Sequence, residues 1–334
     1  MHNYPYQIEQ NLEVDQIRNL IKGYCQMPVS RTMVDSASFS VNFDEIKQRL
    51  MYTSDYIKII ENEEKYPKGS LEDLEPLLIK IKLNGSYLVA DDFLILSKGN
   101  RILGQWQQFL SKNKDSYVWL VQLITDFQID QSLSDKIDEV IDERGEVRDS
   151  ASPSLRKIRR EIIKSEAKAR KSIKHIFDQV KKDQLTDGSG EITIREGRLV
   201  IPVKAEFKRR VSGFVHDESS TGNTVFMEPT QVLELNNLVR ELGYQEKREV
   251  VRILIQLSER VRMNIHELEK GADFLSKLDF VRAKAKFAHQ FEACIPIIKK
   301  TPGVELINAV HPLLWKVNNE QQKSVVPLNL RLSH

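Results

Sequence analysis

The most constraining feature of the sequence is a short β-type region enclosed by two long segments of helical pattern. The first segment follows Ser152-Pro153, a typical helix start, and contains no glycine and no further proline up to Lys182. The second segment, 229–270, carries a comparable apolar seam. Two such narrow seams predict an antiparallel helix pair, because neither helix would be stable alone in water. The predicted seam of the first helix is Leu155, Ile158, Ile162, Ala169, Ile176 and Val180.

The region between the two helical segments is rich in valine, isoleucine and phenylalanine. Residues 191–203 predict a β-hairpin whose tight turn is Glu196-Gly197, with glycine in a position that favours positive φ. Residues 211–227 predict a second pair of strands, joined by the polar loop 217–222, in which Gly222 permits positive φ. The glycine-containing stretch 186–190 is expected to end the first helix. The sequence therefore predicts a small β-rich tip at 190–228.

The remaining sequence also has a helical pattern. Apolar residues recur at helical spacing through residues 1–150 and again through 271–292, and glycine and proline are scarce. A chain of 334 residues has the length of about two domains. The predicted fold is mainly α: a helical core bundle with an inserted antiparallel coiled-coil arm that carries the β-rich tip. Apolar stretches at 304–307 and 325–332 predict separate strands.

Basic residues are concentrated in the first long helix. The net charge of the chain is +2, yet residues 155–182 contain eleven lysines and arginines against three acidic residues. A solvated helix face would explain part of this excess. A basic helix next to a basic tip is, however, the arrangement that contacts the phosphates of a nucleic acid. The predicted contact residues are Lys204, Lys208, Arg209 and Arg210 at the tip, with Lys171, Lys174, Lys181 and Lys182 on the helix.

Several other kinds of site are excluded or disfavoured. No P-loop and no dinucleotide-binding glycine motif occurs, and no histidine or cysteine has a zinc-ligand spacing. No apolar run is long enough to span a membrane, and the N-terminus lacks a signal-peptide pattern. The two isolated cysteines, Cys25 and Cys294, fit a cytoplasmic protein. We expect no bound metal, no membrane partner and no enzymatic activity from this chain alone.

Several segments of the sequence match motifs of one protein family and occur in that family's order. They are Ile141 to Pro153, Gly197 to Glu206, Gly213 to Pro229, Val232 to Leu242, Leu278 to Ala285 and His311 to Leu314. These segments extend over most of the chain, which makes the match specific. On them the sequence resembles the MutS family, in the second bacterial branch, which is linked to recombination control rather than to mismatch reading.

The resemblance implies a domain organisation. Residues 1–150 correspond to a helical lever and core domain, and 271–300 to its returning helix. Residues 151–270 correspond to a clamp insertion, made of helix 152–183, tip 190–228 and helix 229–270. Residues 301–334 correspond to the start of a dimeric ATPase domain. The sequence reaches its last residue, His334, before the family's P-loop, and the mismatch-reading and nuclease domains have no counterpart. We therefore interpret the chain as a fragment.

The resemblance also implies a cofactor and partners. Val326, Pro327 and Asn329 match the family segment that lies beside adenine, but half of that nucleotide site is missing. The full-length protein is expected to bind ATP and Mg²⁺ and to form a homodimer. The expected ligand is duplex or branched DNA, bound without sequence preference in the control of recombination and repair.

Three alternatives remain open at the level of sequence. The same basic surface would bind structured RNA or a stalled ribosome, because any phosphate backbone attracts cations. The helix pair could also be a structural spacer without a nucleic-acid contact. A hydrolase built on His216 with Ser219 or Ser220 is the weakest alternative, because neighbouring strand residues point to opposite faces.

Overall fold

The computed structural model describes residues 8–62, 65–124, 127–187 and 190–332. Gly188 and Ser189, in the stretch predicted to end the first long helix, lie outside these residues. The helices are Ile8–Asn11 (α1), Val14–Lys22 (α2), Pro28–Ser36 (α3), Phe43–Asn62 (α4), Glu75–Lys82 (α5), Ala90–Lys112 (α6), Val118–Val121 (α7), Gln131–Val140 (α8), Pro153–Lys182 (α9), Thr230–Met263 (α10), Ile265–Gln290 (α11) and Pro312–Glu320 (α12). The strands are Thr193–Arg195 (β1), Arg198–Lys204 (β2), Gly213–Glu218 (β3), Thr224–Pro229 (β4), Val304–Ala309 (β5) and Leu328–Leu332 (β6).

The chain divides into two compact units. The first, which we call the core unit, contains Met1–Asp138 and Glu259–His334, and the second, the inserted unit, contains Glu139–Ser258. The prediction of a mainly helical protein with a small antiparallel sheet inserted in mid-chain is confirmed.

In the core unit, α11 packs against helices α2 to α6. Asp279 on α11 is fully buried, and its carboxylate accepts hydrogen bonds from the backbone N–H groups of Gln26 and Met27, both at 2.9 Å. These two groups precede α3, where a helix leaves N–H groups without partners. Arg282 neutralises the same carboxylate at 2.8 Å. A buried ion pair of α11 thus fixes the start of α3.

The two cysteines of the core unit have different environments. Cys25 is buried, and burial raises the pKa of its thiol to about 11, with a further contribution from the carboxylate of Asp279. Cys294 is exposed, although isolated cysteines are more often buried. The two thiols therefore differ in reactivity, because only the thiolate is nucleophilic.

In the inserted unit, the four strands form one antiparallel sheet in the order β1-β2-β4-β3. The predicted hairpin turn is present, with φ of 49° at Glu196 and 73° at Gly197. Gly222 in the second loop also has positive φ, at 70°. In the register of the central strands, Ile201 lies opposite Met227.

One face of this sheet packs on the helices. Side chains of β2 and β4 join the C-terminal half of α9 and the first turns of α10 in a single apolar core. The core contains Ala169, Ile173, Phe177, Val180, Leu185, Ile201, Val203, Val211, Val225, Met227 and Val232. The β tip and the adjoining ends of both long helices therefore form one substantial hydrophobic core.

Candidate nucleic-acid interface

Helix α9 begins where the sequence predicts. The hydroxyl of Ser152 accepts a hydrogen bond from the backbone N–H of Leu155 at 2.9 Å, and Pro153 is the first helical residue. This cap satisfies one of the N–H groups that a helix start leaves unpaired. The helix then continues without interruption for 30 residues.

The two long helices are antiparallel. Ser152, at the start of α9, contacts Glu249 at 2.6 Å, and Arg159, two turns later, donates to Glu246 at 2.7 Å. Near the end of α9, Ile173 shares the apolar core with Val232 at the start of α10. Residues later in α9 therefore contact residues earlier in α10, as antiparallel helices do.

The buried seam of α9 differs partly from the predicted one. Leu155, Ala169 and Val180 are buried as expected, but Ile158, Ile162 and Ile176 are only half-buried. Ile173 and Phe177 are buried in the core with the sheet. The seam turns around α9 because the sheet, rather than α10 alone, covers its C-terminal half.

The two paired helices carry very different charges. Helix α9 has eleven lysines and arginines and three acidic residues, a net charge of +8. Helix α10 has six basic and five acidic residues, a net charge of +1. An antiparallel pair needs no such asymmetry for its packing, because the charged residues lie outside the apolar seam.

The cations of α9 are almost all without acidic partners. Within the described part of the chain, Arg159 is the only basic residue of α9 that forms an ion pair, with Asp149 and Glu246. Of the predicted contact residues on α9, all are exposed, and Lys181 also lies over the ring of Phe177 at 4.5 Å. These predicted residues are Lys171, Lys174, Lys181 and Lys182.

The predicted cations of the tip lie around a short 3-10 helix, Ala205–Arg210. Phe207 in this turn packs against the apolar core, so its position holds the turn on the sheet. Lys208, Arg209 and Arg210 are exposed and form no ion pair among the described residues. Lys204 is half-buried, and its amine lies 3.8 Å from a carboxylate oxygen of Asp187.

Phe207, which was not among the predicted residues, anchors these cations. The guanidinium carbon of Arg210 lies 5.7 Å from the centre of the Phe207 ring. The amine of Lys204, which precedes Phe207 in sequence, lies 6.0 Å from the same centre. The one indication in the sequence was an aromatic residue directly before a run of three basic residues.

A buried polar network stabilises the sheet beside α10. Glu228 on β4 is 1% exposed, and its carboxylate accepts hydrogen bonds from Arg198 at 2.8 Å and Asn236 at 2.7 Å. His216 lies 2.6 Å from its second oxygen. The sequence offered no sign of this network, because its four residues come from β2, β3, β4 and α10.

The same network gives His216 a structural role, as a partner of Glu228. Its ring nitrogen contacts Glu228, whereas the Ser219 hydroxyl accepts from the backbone N–H of Thr224 at 3.1 Å. Asp217 forms an ion pair with Arg195. Among the described residues, no hydrogen bond joins His216 to Asp217, Ser219 or Ser220, although a catalytic triad depends on such bonds.

The residues that the resemblance assigns to an adenine site lie in the core unit. Val326 is 90% exposed and precedes β6, and Pro327 follows it. The side-chain amide of Asn329 on β6 donates to Asn308 on β5 at 3.2 Å and accepts from the backbone N–H of Asn308 at 2.8 Å. The side chain of Asn329 therefore joins β6 to β5.

Among the described residues, no cluster of three or more histidine, cysteine, aspartate or glutamate side chains is arranged to hold a metal ion. No helix in the described ranges combines the length and apolar composition that a membrane span requires.

Known proteins resemble the chain along most of its length. No protein-family model matches it. A protein of Geobacillus sp. (strain WCH70) is 31% identical over 324 residues, which is 96% of this chain and 40% of the relative. A Lactobacillus johnsonii protein is 33% identical over 297 residues, covering 88% of the chain and 36% of the relative. A Ruminiclostridium cellulolyticum protein is 31% identical over 322 residues, covering 95% and 39%.

By this similarity the chain is homologous to MutS-like proteins. Each of the three relatives is named Endonuclease MutS2, and the chain is homologous to them over nearly its whole length. The resemblance inferred from the sequence motifs is confirmed. The chain spans about 40% of the length of these relatives.

Proposed function

We propose that the inserted unit binds the phosphate backbone of nucleic acid without sequence preference. The contact surface consists of the 3-10 helix at the tip and the basic C-terminal half of α9. The observation that carries the proposal is the charge of α9, +8 beside a partner helix of +1, with only one of its eleven cations in an ion pair among the described residues.

Phosphate binding would relieve the electrostatic repulsion among the cations of α9. Cations that crowd one helix repel each other and destabilise it, by a few tenths of a kcal/mol for each close pair. A polyanion removes this repulsion and releases its condensed counterions, which favours binding. Exposed lysines and arginines along a helix are suited to this contact, because phosphates require charge and no base-reading geometry.

The homology supports a role for this surface within a larger protein. By analogy with the MutS family, residues 1–150 and 271–300 serve as lever and core, residues 151–270 as a clamp, and residues 301–334 as the start of an ATPase domain. The whole protein would then use ATP and Mg²⁺ as a homodimer to close two clamps on duplex or branched DNA, in the control of recombination and repair. The relatives' name, Endonuclease MutS2, supports an action on nucleic acid.

The test is the salt dependence of duplex binding by the 334-residue chain. In the tip variant, Lys208, Arg209 and Arg210 are changed to glutamate. The slope of log affinity against log salt falls by about 0.9 for each phosphate that is no longer neutralised, so we expect a reduction of about 2.7. The wild-type dissociation constant should lie at about 10⁻⁴ to 10⁻⁶ M, the range of non-specific binding.

A matched control lies on the other helix of the same unit. Arg240, Lys247 and Arg248 on α10 are also two arginines and a lysine, all exposed. Their reversal to glutamate changes the net charge equally and should leave most of the slope intact. An equal reduction of slope in both variants would show a response to net charge alone and would refute the proposed surface.

Structured RNA is the competing ligand. Duplex DNA and duplex RNA of equal length should be compared at the same salt concentration. Preference for the RNA would favour the ribosome-directed alternative, and no salt-dependent binding to either would favour a structural spacer.

A further inference from the structure

The N-terminal half of α9 repeats the features of the proposed contact surface. Arg156, Arg160 and Lys164 follow each other at steps of four residues, which places them on one face of the helix. All three are exposed, and none forms an ion pair in the described part of the chain. Arg159, next to Arg160 in sequence, is instead bonded to Glu246 and to the carbonyl of Val147. Helix α9 thus uses one cation for its own packing and leaves this row unpaired.

This row is continuous with the cations near the tip. Lys168 and Lys171 follow Lys164 at steps of four and three, so the same face extends towards Lys182. From Arg156 to Lys182 the helix advances about 39 Å, at 1.5 Å for each residue. One turn of a DNA double helix is about 34 to 36 Å long. The unpaired cations therefore extend over slightly more than one turn of a duplex.

A double helix suits this surface better than a single strand. Surfaces that bind single strands usually expose aromatic rings on which bases stack. Phe177, the one phenylalanine, tyrosine or tryptophan of α9, is 4% exposed and covered by Lys181. A duplex is also stiff over about 50 nm, whereas a flexible strand would lose conformational entropy when held along a continuous helix.

We propose that the nucleic-acid contact continues along α9 through Arg156, Arg160 and Lys164, and that the ligand is a double helix at least about one turn long. This inference rests on the proposed function of the inserted unit. It adds a second group of contact residues and a minimum length of ligand.

The first experiment uses the 334-residue chain with DNA duplexes of about 6, 12 and 18 base pairs, a range that brackets one turn. The salt slope should become steeper up to about 12 base pairs and then remain constant, because the row of cations is then fully occupied. Equal slopes at about 6 and 18 base pairs would overturn the inference.

The second experiment changes Arg156, Arg160 and Lys164 to alanine. With the longest duplex, the slope should fall by about 2.7, the value for three phosphates that are no longer neutralised. The control is the same change at Arg240, Lys247 and Arg248, which again removes two arginines and a lysine from exposed helical positions of the inserted unit. Circular dichroism verifies that both variants keep the wild-type helix content.

The outcomes separate this inference from the proposal on which it rests. A reduced slope in the Arg156, Arg160 and Lys164 variant, but not in the control, supports the extended contact. A reduced slope in the tip variant alone overturns the extended contact and leaves the proposed function intact. Absence of salt-dependent duplex binding by the wild-type chain overturns both.

Discussion

The hydroxyl of Ser152 donates a hydrogen bond to the carboxylate of Glu249 at 2.6 Å while it accepts one from the backbone N–H of Leu155 at 2.9 Å. A single side chain thus caps α9 and joins it to the middle of α10. The cap sequence is local, but the second bond connects residues 97 positions apart.

Substitution of Ser152 by alanine should destabilise the inserted unit. Removal of a serine cap costs about 1 kcal/mol, and here the bond to Glu249 disappears as well. Urea denaturation followed by far-ultraviolet circular dichroism measures the effect. The control is Ser154→Ala, an exposed serine two residues later in the same helix. Equal stability of the two variants would contradict the dual role of Ser152.

Acid should weaken the interaction between Glu249 and its partners. Hydrogen bonds from Arg252 and then Ser152 lower the pKa of Glu249 from 4.5 to about 2. A carboxylate whose pKa is lowered by folding stabilises the fold at pH values above its pKa in the unfolded chain. This contribution is lost as pH falls from about 4.5 towards 2.

The variant Glu249→Gln isolates this effect. Its unfolding free energy should lie below that of the wild type at pH 6, and the difference should narrow at pH 3. A difference that is constant between these two pH values would show that the charge of Glu249 does not contribute to stability.

Removal of the buried carboxylate of Glu228 should be severe. The change Glu228→Ala leaves Arg198, which is 13% exposed, without its counter-charge. Breaking a buried pair in this way costs about 3 to 5 kcal/mol. The control is Asp217→Ala, whose ion pair with Arg195 is 3.3 Å long and exposed on both sides. That pair is worth about 1 kcal/mol or less, so similar destabilisation in the two variants would contradict the structural role of Glu228.

Neutralisation of Asp178 should strengthen nucleic-acid binding. Asp178 is exposed on α9, four residues after Lys174 and four before Lys182, so it lies within the row of cations. The change Asp178→Asn removes repulsion of the phosphates, and an exposed charge interaction is worth up to about fivefold in affinity. Fluorescence anisotropy with labelled duplex at low salt measures it. Glu241→Gln on α10 is the control and should have no comparable effect.

The elements that depend on neighbouring residues could be predicted from sequence. The Ser152 cap and the Glu196-Gly197 turn are short-range features, and both were recognised because their residue types fit the required backbone conformations. The charge excess of α9 was equally visible, because it needs only a count.

The features that depend on distant residues could not be predicted in this way. The second long helix was expected to extend to residue 270, but it ends at Met263, and α11 begins at Ile265. Next to this break, the guanidinium of Arg262 donates to the carbonyls of Ile81, at 2.8 Å, and Ser86. These partners are about 180 residues away in sequence, so no local pattern indicates them.

The candidate interface shows the same division. The exposed cations of the tip were identified from sequence, but their support by Phe207 and the ion pairs of Arg159 became visible only in the fold. Charge is readable from composition, whereas the distinction between a free cation and a paired one requires the positions of both partners.

The contrast between the two thiols has a practical consequence. A maleimide dye at neutral pH should attach to Cys294 and spare Cys25, whose thiol is buried and has a pKa of about 11. The natural sequence therefore already provides a single-site attachment point for a fluorescent reporter. The fluorescence anisotropy of that reporter would follow the binding of a long oligonucleotide, through slower tumbling of the complex, without any engineered cysteine.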